Sequence, residues 1–321
     1  MRLFILKRVL ISIPMLLAIS FLTFILMRLT PGNYLDTIRL DPQVSPETIA
    51  YYENLYKLNQ PVLVQYLNWV GNLFKGELGF SFYFNIPVSK IIYDRLWNTF
   101  LLSFTSFLIT WLVAIPLGVW AAVKRNCLTD KIIQAFSYIG LATPSFFIAI
   151  LFLLAASLTG LLPLGGMYSA DFDSLNPIQK FLDVAAHLVL PAIALSIGSI
   201  AGLQRIMRGN MLEVLGQQYI LTARAKGLPE NRVIYVHALK NAINPLITFL
   251  GYEFSGLLSG AALIEIMTSW PGLGSLMLNA VRAKDIYLVM ASLLMGGVMF
   301  IMGNLLADIL LAKIDPRIRY E

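Results

Sequence analysis

The chain has 321 residues, of which 58% are apolar and only 13% charged, whereas soluble domains carry about 25% charged residues. Because so apolar a chain would precipitate from water, the composition excludes an ordinary soluble protein and favours a helical membrane protein. The single cysteine excludes an intrachain disulfide and a multi-cysteine metal site, and the net charge of +6 is spread over the ends of apolar runs instead of forming a nucleic-acid-binding patch.

Six apolar runs are long enough to cross a hydrocarbon core, which needs roughly 20 residues of helix. Basic residues precede the first run, which we interpret as a retained signal-anchor helix, with a cleaved signal peptide as the alternative. We interpret Pro144 as an internal residue of a continuous third span, since membrane helices tolerate proline. The predicted spans are Val9–Met27, Leu96–Val123, Ile132–Leu162, Val184–Gln204, Ile243–Ile264 and Ile286–Ala312.

A polar segment, Thr30–Asp94, separates the first two spans. Its Ser45-Pro46-Glu47 run is typical of a helix start, with a capping serine followed by a first-turn proline. Pro61–Phe74 repeats apolar residues at helical spacing before Gly76, which predicts a short amphipathic helix. We place its aromatic residues at the membrane interface, where such rings lie half in water. These residues are Tyr66, Trp69 and Phe74.

Six spans place both termini on one side of the membrane, and the distribution of basic residues indicates which side that is. Most lysines and arginines fall in segments that share a side with the N-terminus, and Gly160–Asp183 on the opposite side contains only Lys180. Basic loops stay in the cytoplasm. We therefore expect cytoplasmic termini and a multi-pass protein of the bacterial cytoplasmic (inner) membrane.

One charged stretch, Glu213–Pro245 (the coupling segment), lies between the fourth and fifth spans and cannot reside in lipid. Leu212–Ala225 is rich in helix formers and Gly227 is a natural helix stop. Pro229 fits the first turn of a second helix, Asn231–Asn241. The sequence predicts a helix, a sharp turn and a helix that protrude into the cytoplasm. The alternative is an ordinary basic loop that binds anionic lipid head groups.

The coupling segment resembles the cytoplasmic "EAA loop" of binding-protein-dependent permease subunits of ABC importers, in the form of their dipeptide, oligopeptide and nickel branch. Ala223-Arg224-Ala225 stands where the general motif has Glu-Ala-Ala, so the acidic residue is absent. Gly227 matches the motif glycine. The remaining matches are Tyr219 to Thr222, Lys226, Leu228, the run from His237 to Ala242, and Pro245.

The resemblance extends over nearly the whole chain. It departs at Trp97, where proline is frequent, and at Thr268, where an aromatic residue is frequent. The matching segments outside the coupling segment are Pro31-Gly32, Gly76 to Ser81, Pro87-Val88, Arg95-Leu96, Asn98-Thr99, Trp270 to Gly274 and Asp315-Pro316-Arg317.

The resemblance implies an all-α integral membrane protein with six transmembrane helices, the type I ABC importer (MetI-like) permease fold, and a cytoplasmic coupling helix. Residues 1–94 would form the first span and an outer (periplasmic) segment, 95–312 a five-helix permease domain, and 313–321 a cytoplasmic tail. The residues expected to contact an ATPase subunit are Tyr219, Ala223, Arg224, Ala225, Lys226, Gly227 and Leu228.

The same resemblance implies several partners: a second homologous permease subunit, two cytoplasmic ABC ATPases, an extracytoplasmic solute-binding protein, and the membrane lipid. The sequence has no glycine-rich run ending in Gly-Lys-Ser/Thr that would hold nucleotide phosphates. We therefore expect no cofactor and no enzyme activity in this chain, and ATP with Mg²⁺ on the partner ATPases.

Glu253 lies inside the fifth span, where a charged residue costs about 2.5–3.5 kcal/mol on insertion scales. It is either a residue of the translocation path or a carboxyl group hydrogen-bonded within the bundle, with Tyr252 and Ser255 beside it. Ser255 and Ser259 belong to a small-residue face that either lines the path or allows close helix packing.

The function indicated by these patterns is that of a permease subunit of an ATP-driven importer for di- or oligopeptides or a similar small solute. A nickel-chelate or glutathione importer of the same branch is the alternative. A stand-alone secondary transporter is a more distant one, because such proteins usually show internal repeats and several intramembrane ion ligands.

Overall fold

The computed structural model describes residues 2–30, 39, 45, 47, 49–50 and 60–314. The predicted helix start at Ser45-Pro46-Glu47 and the terminal Asp315-Pro316-Arg317 lie wholly or partly outside these residues. The regular secondary structure of the described residues is helical, almost entirely α-helical, apart from one small hairpin, in which β1 (Phe80–Ser81) pairs antiparallel with β2 (Ile86–Pro87).

Twelve α-helices are present in the described part of the chain, and a π-helix, Val233–Ala238, lies between α8 and α9. The helices are α1 (Arg2–Leu29), α2 (Val62–Leu73), α3 (Val88–Val123), α4 (Leu128–Ala142), α5 (Ser145–Thr159), α6 (Pro177–Leu215), α7 (Gln218–Ala225), α8 (Glu230–Arg232), α9 (Leu239–Ala242), α10 (Asn244–Met267), α11 (Leu273–Arg282) and α12 (Ile286–Ile314).

Four single helices in the described residues are long and apolar enough to cross a membrane, and the spans concerned are Leu6–Leu29, Val88–Val123, Pro177–Leu215 and Ile286–Leu305. Two bent pairs bring the number to six if each pair is one span. The chain turns by 105° between α4 and α5, and by 57° between Glu230–Ile247 and Tyr252–Met267. The predicted all-α membrane fold is confirmed.

The third predicted span is not one continuous helix, and this prediction was wrong. Thr143 is extended (φ −101°, ψ 123°) and Pro144 caps the start of α5. Proline disfavours the helical conformation in the residue before it and lacks the N–H that a continuous helix needs. Pro14, Pro116 and Pro191, in contrast, lie inside α1, α3 and α6.

The chain divides into two compact units. The first contains Met1–Thr99 and Pro271–Ile301. In its core the ring of Tyr66 packs beside Phe24, and the Trp69 indole N–H donates to the Leu78 carbonyl at 3.1 Å. Tyr66 and Trp69 are therefore buried core residues and not interfacial ones as predicted, because α2 packs its aromatic face inward; Phe74 is exposed.

A buried carboxylate organises the hairpin of the first unit. Asp285 precedes α12 and accepts hydrogen bonds from the Ser81 hydroxyl at 2.7 Å, the Tyr83 amide at 3.1 Å and the Leu288 amide at 3.3 Å. Burial raises the pKa of Asp285 above its ordinary value, although the hydrogen bonds from Ser81 and Tyr83 oppose that shift. One side chain thus caps a helix and closes a hairpin.

The second unit contains Phe100–Trp270 and, among the described residues, 302–314. The long helix α6 is its central element and packs against α4, α5 and α10. A bidentate ion pair joins α6 to α4, with Arg208 donating to both carboxylate oxygens of Asp130 at 2.7 Å. Helix α3 approaches α6 so closely that a Cβ on Gly118 would lie 2.6 Å from the Met207 side chain.

Candidate functional site: the coupling segment

The coupling segment begins where α6 ends. Helix α6, one of the candidate membrane spans, ends at Leu215, and Gln217 is extended (ψ 148°) before α7 starts. The predicted helix Leu212–Ala225 is therefore two helices. Gly216 lies at the break, where the low helix propensity of glycine favours an interruption.

The turn after α7 is a Schellman motif. The Gly227 amide donates to the Arg224 carbonyl at 2.9 Å, and the Leu228 amide donates to the Ala223 carbonyl at 3.4 Å. Gly227 has φ +75°, the left-handed conformation that this motif places after a helix end. The predicted stop at Gly227 is confirmed.

The returning arm follows Pro229 and contains α8, the π-helix Val233–Ala238 and α9 in direct succession. The predicted single α-helix Asn231–Asn241 thus contains a wider π-turn. Short π-segments inside α-helices are rare and often mark functional sites. The Asn210 side chain of α6 donates to the Ala242 carbonyl at 3.2 Å, which ties the end of this arm back to α6.

An apolar core anchors both arms. Ile220 and Ala223 of α7 and Val233, Ile234 and Ala238 of the returning arm are buried. They join a cluster that also contains Met207 and Met211 of α6 and Val119 and Ala122 of α3. The coupling segment is therefore packed onto the ends of two long helices and does not hang free as a flexible loop.

The opposite sides of the two arms are exposed. Tyr219 and Leu221 of α7 are 45% and 48% exposed, and Tyr235 and Val236 of the returning arm are 59% and 54% exposed. Four cations are exposed beside them in the sequence: Arg224, Lys226, Arg232 and Lys240. We call these eight residues the coupling surface.

The residues predicted to contact an ATPase fall into three groups. Tyr219, Arg224, Ala225, Lys226 and Gly227 are exposed, and Leu228 is half-buried. Ala223 is 8% exposed and its side chain belongs to the anchoring core.

An ion pair closes the turn. Arg224 donates to both carboxylate oxygens of Glu230, at 2.6 and 3.1 Å. The bidentate hydrogen bond from Arg224 holds the pKa of Glu230 below its usual value. Both side chains are more than a third exposed, so the pair contributes at most about 1 kcal/mol to stability. Its main effect is geometric, because it joins the end of α7 to the start of the returning arm.

The three predicted path residues lie on α10 and have different surroundings. Glu253 is half-buried in α10, with Ser199 of α6 within hydrogen-bonding reach of its carboxyl group. Ser255 is buried and donates to the Asn304 side chain at 2.7 Å. Ser259 is exposed and donates to the Ser255 carbonyl at 3.1 Å. Glu253 thus contacts α6, and Ser255 contacts α12.

Several features of the candidate site were not predicted from the sequence. Leu221, Tyr235 and Val236 lie on the coupling surface. Their position between charged neighbours in the sequence could have indicated that these apolar side chains are exposed. Glu230 was noted as a charge, but its bond to Arg224 depends on the conformation of the turn. A pocket of about 530 Å³ in the first unit, lined by polar and apolar residues such as Asn68, Glu77 and Leu78, was not predicted.

Comparisons with known proteins identify relatives along the full chain. The family model described as "Binding-protein-dependent transport system inner membrane component" matches residues 114–320, and the corresponding N-terminal model matches residues 1–105. The chain is 40% identical over 319 residues to the oligopeptide transport system permease protein AppB of Bacillus subtilis (strain 168), covering 99% of each chain.

Two further relatives have similar names. A putative peptide transport system permease protein of Brucella abortus (strain 2308) is 40% identical over 317 residues, with 99% of each chain covered. The dipeptide transport system permease protein DppB of Escherichia coli (strain K12) is 36% identical over 335 residues, again with 99% of each chain covered.

Proposed function

Because the chain belongs to the family of binding-protein-dependent transport system inner membrane components, we propose that it is the permease subunit of an ATP-driven importer for di- or oligopeptides. The solute class rests on the full-length relatives, whose names specify oligopeptide, peptide and dipeptide transport. The chain itself is an integral inner-membrane protein and a component of a transport system. A nickel-chelate or glutathione solute remains the alternative.

The observation that carries the proposal is the coupling surface on its buried anchor. A surface that exposes aromatic and aliphatic side chains between cations is suited to docking on another protein, because aromatic residues and arginine are enriched in protein interfaces. Ile220 and Val233, behind this surface, pack into the same core as Met207 of α6. A push on the coupling surface is therefore transmitted to a helix that enters the membrane.

The same arrangement suggests how ATP drives transport. Helix α6 is one element of 39 residues, about 60 Å long at 1.5 Å per residue. Closure of two cytoplasmic ATPases would move the coupling surfaces of two permease subunits and rock the helix bundles between inward-open and outward-open states. In the proposed pore this chain pairs with a homologous but different permease subunit. A solute-binding protein would deliver the peptide from outside.

This mechanism needs a defined orientation. We assign both termini and the coupling segment to the cytoplasm, since that assignment keeps the most basic segments on the inner side. Hydrolysis of ATP, with its Mg²⁺, takes place on the ATPases, and this chain converts their movement into access for the solute. Glu253 is a candidate contact for a peptide amine, because a half-buried carboxyl group within a span is costly unless it has a function.

Reconstitution into liposomes tests the proposal. The chain with its permease partner, ATPases and binding protein should take up a radiolabelled dipeptide or oligopeptide when ATP is present on the ATPase side. Omitting the ATPases should abolish uptake at any ion gradient. Gradient-driven uptake by the chain alone would overturn the proposal in favour of a secondary transporter, and uptake of a nickel chelate instead of peptide would favour the alternative solute.

A further inference from the structure

A polar pocket of about 570 Å³ lies between α4 and α6. It extends along two turns of α4, beginning one turn after Asp130. Neither the coupling surface nor the candidate path uses it. Its lining includes Gln134, Tyr138, Gly202, Arg205, Ile206 and Arg208.

The two arginines of the pocket differ in their electrostatic state. Arg208 is neutralised by its bidentate ion pair with Asp130. Arg205 is exposed, and it makes no ion pair with any residue in the part of the chain that the structure describes; its guanidinium lies 5.0 Å from the centre of the Tyr138 ring. A cation–π contact orients the guanidinium without cancelling its charge, so the pocket keeps a net positive charge.

The surroundings of the pocket are basic at one end and apolar at the other. Lys124, Arg125 and Lys131 are exposed on the turn that leads into α4 and at its start. Further along α4, Leu141 lines the pocket and is 45% exposed. A molecule with an anionic head and a hydrocarbon tail matches this order of charge and apolar surface.

We propose that this pocket binds the phosphate of an anionic phospholipid, with Arg205 as its principal ligand. Basic pockets between transmembrane helices bind anionic lipid head groups. The planar guanidinium can donate two parallel hydrogen bonds to a phosphate. The acyl chains would lie against Leu141, the exposed apolar residue that lines the pocket on α4. The bound lipid would contact α6 at Arg205, ten residues before the helix ends at Leu215. It would thereby stabilise the position of the helix that leads into the coupling segment.

Native mass spectrometry of the full chain in non-ionic detergent tests the site, with phosphatidylglycerol and phosphatidylcholine of identical acyl chains as probes. Phosphatidylglycerol should bind more tightly, and Arg205→Gln should weaken its binding about fivefold, the effect of one basic residue at an anionic membrane surface. Phosphatidylcholine carries the same phosphate together with a choline cation that the basic pocket disfavours, so its weaker binding should change less than that of phosphatidylglycerol. Arg205→Lys, which keeps the charge but loses the planar fork, should give an intermediate affinity.

The control is Arg282→Gln, at an exposed arginine at the end of α11 outside the pocket, which should leave phosphatidylglycerol binding unchanged. Equal affinity for the two lipids, or equal effects of Arg205→Gln and Arg282→Gln, would overturn the proposal. Inorganic phosphate that displaces the lipid at equal concentration would identify a free-phosphate site instead. Loss of selective binding in the assembled transporter would show that a partner subunit covers the pocket, and would reject the lipid.

Discussion

At the scale of single residues, one polar side chain can stabilise several elements at once through its hydrogen bonds. Asp285 is the clearest case, because its carboxylate accepts from Ser81 and Tyr83 of the hairpin and from Leu288 of α12. Asp285 and Ser81 are both fully buried. Buried donors left without an acceptor cost about 1–3 kcal/mol each.

Asp285→Ala is therefore expected to destabilise the hairpin by about 3 kcal/mol, since it leaves one hydroxyl and two amides without their acceptor. Hydrogen–deuterium exchange of residues 80–87 in nanodiscs should become about a hundredfold faster. Asp173→Ala, at an exposed aspartate, is the matched control and should leave that exchange unchanged. Exchange at the wild-type rate in Asp285→Ala would show that the carboxylate does not hold the hairpin.

Gly227 shows which residue-level features can be predicted from sequence. Its left-handed conformation follows from a local rule, that glycine commonly ends a helix, and the prediction was confirmed. The bond between Asp285 and Ser81 could not be predicted in the same way, because the two residues are 204 positions apart in the chain. The burial of Ala223 likewise depends on its packing in a core to which α3 and α6 contribute.

At the scale of elements, the turn between the arms of the coupling segment is defined by backbone geometry. Gly227→Pro should uncouple transport, because proline requires φ near −65° and removes the amide that bonds to the Arg224 carbonyl. Gly227→Asn is the control, since asparagine tolerates the left-handed region and nothing lies within 4 Å of the added Cβ.

The measurement for this pair is peptide-stimulated ATP hydrolysis and uptake in proteoliposomes. We expect both to be lost in Gly227→Pro at a normal level of membrane insertion, and both to be nearly retained in Gly227→Asn. Wild-type coupling in Gly227→Pro would remove the turn from the mechanism.

The crossing of α3 and α6 is another element-scale feature that a substitution can test. A Cβ at Gly118 would lie 2.6 Å from the Met207 side chain and 2.9 Å from the Gln204 carbonyl, and a backbone atom cannot move aside cheaply. Gly118→Ala should destabilise the second unit by about 1–3 kcal/mol, the usual cost of overpacking. The thermal unfolding midpoint in detergent should fall accordingly.

Gly198 of α6 provides the matched glycine, since a Cβ added there would have no neighbouring atom within 4 Å. Gly198→Ala should leave the midpoint unchanged or slightly raised, because alanine favours helices more than glycine. Similar midpoints for the two alanine variants would contradict the close approach of α3 to α6.

Element boundaries were predicted less well than element existence. The break at Gly216 was not predicted, because the residues on both sides are good helix formers. The bend at Pro144 was missed, because proline is compatible with membrane helices at Pro14, Pro116 and Pro191. Helix α11 lies between the fifth and sixth predicted spans, where no helix was predicted, and its apolar residues pack in the core of the first unit.

At the scale of the whole molecule, charge and hydrophobicity in the sequence are enough to predict a membrane protein with one protruding segment. The structure further shows which side chains of that segment are buried and which are exposed. In α7, Ile220 is buried in the anchoring core, and the adjacent Leu221 is 48% exposed on the coupling surface. Of these two neighbouring aliphatic residues, one is thus buried in the core and the other is available for contact with a partner.

The most direct test of the account compares Leu221→Ala with Ile220→Ala in the reconstituted transporter, measuring ATPase binding to the permease together with the unfolding midpoint of the permease alone. Leu221→Ala should weaken ATPase binding and uptake about tenfold without lowering the midpoint, as expected for an interface side chain worth about 1.4 kcal/mol. Ile220→Ala should lower the midpoint, because the cavity costs about 2–5 kcal/mol. Normal ATPase binding and uptake in Leu221→Ala and in the equivalent Tyr235→Ala variant would contradict the claim that this surface couples ATP hydrolysis to transport.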